Sequence, residues 1–91
     1  MKKYLIEREI AGVDQLSAGE LKGAAAASNA ALAQLGPKVQ WVESFVTKDK
    51  TFCIYLAEDE AVIQEHARLS GFPANKVTEI AGKIDPTTAH G

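Results

Sequence analysis

The chain has one cysteine and one tryptophan in 91 residues, and no apolar run long enough to span a bilayer. A single cysteine cannot close an internal disulfide, so the fold stands on its core alone and nothing calls for an oxidising compartment. Charge of one sign is not concentrated anywhere. Ten Lys and Arg against twelve Asp and Glu give a net charge of −2, which argues against a nucleic-acid groove or a polybasic membrane patch. The opening "MKKYLIEREIAG" starts as a signal peptide does, but its apolar run breaks at Glu7, so a cytoplasmic protein is expected. The glycines form no phosphate-cradling motif, and no C-x-x-C or H-x-x-x-H pair commits two metal ligands to one turn.

What is present is the composition of an ordinary globular protein, 46% hydrophobic and 24% charged. Ninety-one residues suffice for one domain with a two-layer core, here residues 1–91, the last nine (83–91) reading as a tail of turn formers. The stretch from Lys3 to Ile10 mixes β-branched, aromatic and charged residues and predicts a first strand. In "LSAGEL", Ser17 and Glu20 are spaced to close a capping box, with Leu16 and Leu21 at the staple positions. A helix follows from about Ala18 to Leu35, closed by Gly36-Pro37. Two strands around a turn at Thr47 to Lys50 come next. A second helix opens on Glu58-Asp59-Glu60, where negative charge suits the helix dipole, and ends at Gly71. Lys76 to Ile84 reads as a last strand.

The order β-α-β-β-α-β predicts an α+β fold of ferredoxin-like plan, a four-stranded antiparallel sheet with both helices on one face. Phe52, Ile54 and Leu56, joined by Val42 and Val46, are the expected helix-facing set. The uncovered face then carries Trp41, Glu43, Phe45, Cys53 and Tyr55, and Glu7 can join them. Such an apolar face marks an interface or a ligand site. Its simplest cover is a second copy of the sheet, a symmetric homodimer built as a dimeric α/β barrel.

Chemistry concentrates in few residues. Cys53 and His66 could ligate nickel, zinc or copper, with Glu7 or Glu43 supplying oxygen. The blander alternatives are a small buried hydrophobe for Cys53 and a hydrogen-bonded structural histidine for His66. Arg8 reads either as one half of an ion pair or as a clamp for an anion or carboxylate. Trp41, Phe45 and Tyr55 could line a pocket or form dimer core.

Several stretches together resemble a known family. They are "YLIERE", "VESFVTKDKTFCIYLAEDEAVIQEHARLSGFPANKV" and "IDPTTA". They are similar to small bacterial proteins grouped as a domain of unknown function, one member of which is described as nickel-binding. The resemblance implies a ferredoxin-like fold, dimerisation and binding of nickel or a similar divalent ion, and Glu7, Cys53 and His66 fall on the family pattern. Two functions therefore stand side by side. One is a non-enzymatic homodimer that sequesters or senses a transition metal. The other is a small-molecule binder or acid/base enzyme using Glu43, Tyr55 and His66 in a pocket between the sheet and its partner. Neither a nucleic acid nor a membrane is expected as partner.

Overall fold

Six elements carry the fold in the computed structural model, which describes residues 1–90. They are β1 (Lys2–Glu9), α1 (Ala18–Leu35), β2 (Val39–Val46), β3 (Lys50–Ala57), α2 (Glu60–Ser70) and β4 (Lys76–Ile80). The strands form one antiparallel sheet in the order β2-β3-β1-β4. With two helices packed on it, this is the ferredoxin-like plan that the element order predicts. No helix among the described residues is long and apolar enough to cross a membrane.

Local chemistry sets the element ends. The Glu20 amide donates to Ser17 Oγ and the Ser17 amide to Glu20 Oε1, both at 3.1 Å, so the capping box closes and satisfies two amides that the helix leaves without partners. At the other end Gly36 adopts φ 69 and ψ −150. The positive φ is as expected, but the extended ψ belongs to a region that only glycine occupies cheaply. Asp59 caps α2 by accepting from the Val62 amide at 2.9 Å. In the β2–β3 turn both the amide and the hydroxyl of Thr47 donate to the Lys50 carbonyl. The last strand stops at Ile80 and does not reach Ile84. β4 pairs with β1 alone, and that ladder runs out at Lys3↔Ile80. The tail is instead turned by Asp85, whose carboxylate accepts from the Thr87 amide at 2.9 Å.

The faces of β3 are the reverse of the expectation, whereas Val46 faces the helices and Glu7, Glu43 and Phe45 the open side, as expected. Thr51, Cys53, Tyr55 and Ala57 are the buried set of β3, continued by Tyr4, Ile6 and Arg8 of β1. Phe52, Ile54 and Leu56 lie on the open face, only partly covered. Both alternating sets of β3 are apolar, so periodicity alone cannot say which one the helices cover. Fit decides it. The small Ala57 and Cys53 let the helices approach, and the Tyr55 hydroxyl finds a partner on α1, whereas Phe52, Ile54 and Leu56 offer helices no polar handle.

A β-bulge makes a second correction. The β2–β3 register passes from Trp41↔Tyr55 to Glu43↔Ile54, leaving Val42 as the extra residue. Trp41 therefore shares the covered face with Tyr55, while Glu43 and Phe45 share the open face with Ile54 and Phe52. The expected grouping of Trp41, Glu43 and Phe45 is broken because a bulge shifts every later side chain to the other side. For the same reason Ser44 and Val46 face the helix side, opposite Cys53 and Thr51.

Candidate functional site

The four expected metal ligands are divided by the sheet. Cys53, 4% exposed, sits on the covered face with its Sγ 3.5 Å from Thr51 Oγ1. His66, 1% exposed, points inward from α2. Glu7 lies on the open face between Lys50 and Lys76, each ammonium 3.9 Å from a carboxylate oxygen. Glu43 is exposed on that same open face. Among the described residues no group of three or more His, Cys, Asp or Glu is placed to hold a metal ion. The donors of one chain therefore do not fit nickel. The soft and imidazole donors that nickel favours are buried away from the carboxylates.

What the covered face does bring together is a buried polar cluster around Tyr55. Ser28 of α1 lies 3.3 Å from the Tyr55 hydroxyl and 3.2 Å from His66 Nε2, so one hydroxyl joins a strand to both helices. The Tyr55 ring stacks on Trp41 at 6.4 Å between centroids and 15° between planes, and is tilted against His66 at 5.1 Å. Burial raises the Tyr55 phenol above its ordinary pKa of 10.0. Burial, aided by the positive charge of Arg8, pushes the His66 imidazole below 6.5. Both groups are thus held neutral near pH 7, because a charge here would lose its hydration.

Arg8 is the charged member of the cluster and is only 3% exposed. Its Nη1 donates to the carbonyls of Phe72 (3.3 Å) and Pro73 (2.9 Å), tying the segment after α2 to β1. Its guanidinium carbon lies 5.8 Å from the centre of the Tyr55 ring. Among the described residues no carboxylate is within ion-pair distance of Arg8, and its buried Nη2 has no hydrogen-bond partner; neither has His66 Nδ1. Among the described residues the expected ion pair is absent, and Arg8 instead holds the segment after α2 through its two carbonyl contacts.

Beside this cluster a cavity of about 160 Å³ opens between α1 and the covered face of the sheet. Of the four residues named for a pocket, Arg8, Trp41 and Tyr55 line this different cavity, and Phe45, 55% exposed on the open face, does not. Nor does the cavity lie where a pocket between sheet and partner was expected. Ser28 and Thr51 line it too, and neither was singled out in the sequence. A serine on the apolar stripe of α1 was the available signal for the first; Thr51 gave none. The α1 wall is made by Ala24 and Ala25, residues too short to fill the space that leucines would occupy at those positions.

A family profile described as "Nickel responsive protein SCO4226-like" matches residues 4–80. Among curated proteins none matches the sequence. Among solved structures, the crystal structure of SCO4226 from Streptomyces coelicolor A3(2) superposes with a TM-score of 0.75, covering 90% of this chain and 99% of that one at 13% identity. At that identity the superposition speaks for the shared fold, and the profile, spanning β1 to β4, speaks for descent. The chain belongs to the SCO4226-like family of nickel responsive proteins.

Proposed function

We propose that this chain is a non-enzymatic, cytoplasmic binding protein that works as a homodimer in a nickel response. The observation that carries the reading is the open face of the sheet. Leu5, Phe45, Phe52, Ile54 and Leu56 share it, and among the described residues neither α1 nor α2 lies over them. A twofold partner presenting the same surface removes this apolar area from water. The nickel part of the reading is supported by the family description. Because the donors of one chain do not fit the ion, any nickel taken up in this reading is held by the dimer, with Glu7 and Glu43 on the paired faces as the available oxygens. Cys53 and His66 are not ligands in it. Carboxylate oxygens are hard donors, so binding is expected to be weak and poorly selective among divalent ions. The acid/base alternative has less support, since Glu43 is separated by the sheet from Tyr55 and His66.

Sedimentation velocity and nickel calorimetry, run on the native protein and on Ile54→Glu and Cys53→Ser, test this. A native dimer, a folded monomeric Ile54→Glu that has lost its nickel heat, and a Cys53→Ser that keeps it are the expected results. A monomeric native protein sinks the dimer. Nickel heat retained by the Ile54→Glu monomer, or lost in Cys53→Ser, sinks the assignment to the open face.

A further inference from the structure

The buried Arg8 raises a question that nickel does not answer. A guanidinium at 3% exposure has given up most of its hydration, and a buried cation is costly unless it is paired. Two carbonyls satisfy Nη1, the Tyr55 ring gives a weaker contact, and Nη2 is left without a partner among the described residues. The same side chain lines a cavity whose remaining walls, from Val13, Leu16, Ala25, Trp41 and Phe72, are almost wholly apolar. One unneutralised positive group at the edge of an apolar space describes the complement of an amphipathic anion. A water molecule would satisfy the N–H but leave the charge and the apolar walls unmatched.

We propose that the cavity between α1 and the sheet is a binding site for a small monocarboxylate with an apolar body about the size of a benzene ring. Arg8 Nη2 donates to the carboxylate, and Trp41, Phe72 and the alanine wall of α1 enclose the body. Size supports the choice. The cavity measures about 160 Å³, and an apolar cavity of roughly 150 Å³ is known to admit benzene. Access is provided on the side of Leu21 and Val46, which line the cavity and are 40% and 48% exposed. Ser28, Thr51 and Tyr55 also border the cavity, but their hydroxyls are engaged with one another, with His66 and with Cys53, so Arg8 is the group left to meet the anion. The site lies on the opposite side of the sheet from the open face, so it is independent of dimerisation and of nickel.

Trp41 is the sole tryptophan and lines the cavity, so its emission reports on occupancy. The experiment titrates chelator-treated protein with benzoate, and separately with benzyl alcohol, following Trp41 fluorescence and calorimetric heat. Benzoate should bind saturably, one per chain, with benzyl alcohol weaker by roughly tenfold or more, as expected when a hydrogen bond to a charged group is lost. Ala25→Leu, which fills the cavity without touching Arg8, should abolish the response while the far-UV spectrum is kept. Arg8→Lys keeps the charge but shortens the reach, and should weaken benzoate more than benzyl alcohol. No saturable signal from either compound overturns the site. Equal affinities for the two overturn the role of Arg8, and undiminished binding in a folded Ala25→Leu places the ligand elsewhere.

Discussion

His66 is built into the core of the fold. Its ring is buried, its Nε2 is engaged with Ser28, and its basicity is lowered by burial and by Arg8. A histidine whose folded pKa lies below its unfolded value takes up a proton less readily in the native state. The stability it contributes is present above pH 6.5 and is lost as pH falls from there through the folded value. Thermal melts between pH 7.5 and 5 should therefore show a falling midpoint in the native protein. In His66→Gln, which keeps a polar group near Ser28 but cannot titrate, the fall should be smaller; parallel curves would place the acid sensitivity elsewhere. Truncation to Ala should cost about 2–4 kcal/mol in urea denaturation, the scale of other large-to-small core substitutions. If His66 were a surface ligand instead, that substitution would leave stability nearly unchanged.

Among the elements, α1 carries the clearest written instructions. Ser17 and Glu20 are spaced for a capping box and form one. Removing the cap with Ser17→Ala should cost about 1 kcal/mol and shift the denaturation midpoint without changing its slope; an unchanged midpoint would mean that packing alone holds the first turn. Helix limits, the hairpin turn and the element order were legible because each rests on local chemistry or on short-range topology. The face of β3 was not, because Phe52-Ile54-Leu56 and Cys53-Tyr55-Ala57 are both apolar, and the choice between them depends on partners far along the chain. The bulge at Val42 was likewise silent, since a valine in the middle of "VQWVESFV" fits an uninterrupted strand equally well. The site inherited both errors. Trp41 and Tyr55 were rightly grouped but placed on the wrong side, and Cys53 was paired with carboxylates that the sheet keeps from it. Glu7 does lie on the open face, with its strand neighbour Arg8 on the covered one, because alternation along one strand needs no distant information.

At the scale of the whole molecule, the two sides of the sheet have divided the work. The covered side holds the polar cluster and the cavity, and the open side holds an apolar surface edged by Glu7 and Glu43. If that surface is the seam of a homodimer, folding and association are coupled, and the melting midpoint should rise with protein concentration. A midpoint that does not move across a wide range of concentration would argue for a chain that is stable alone. The comparison with SCO4226 from Streptomyces coelicolor A3(2) shows that this architecture persists at 13% identity. The fold therefore constrains backbone paths far more tightly than side chains, and leaves both faces open to different uses. Ser28 has a mechanical consequence. Its hydroxyl fastens the middle of α1 to β3 and α2 at once, while Ala31, Leu32 and Leu35 anchor the half beyond it in the core. The half before it lies over the cavity and turns Leu21, Ala24 and Ala25 toward it. Such a helix is held as a lever is at its fulcrum, with Ser28 separating a half that is packed in the core from a half that borders open space.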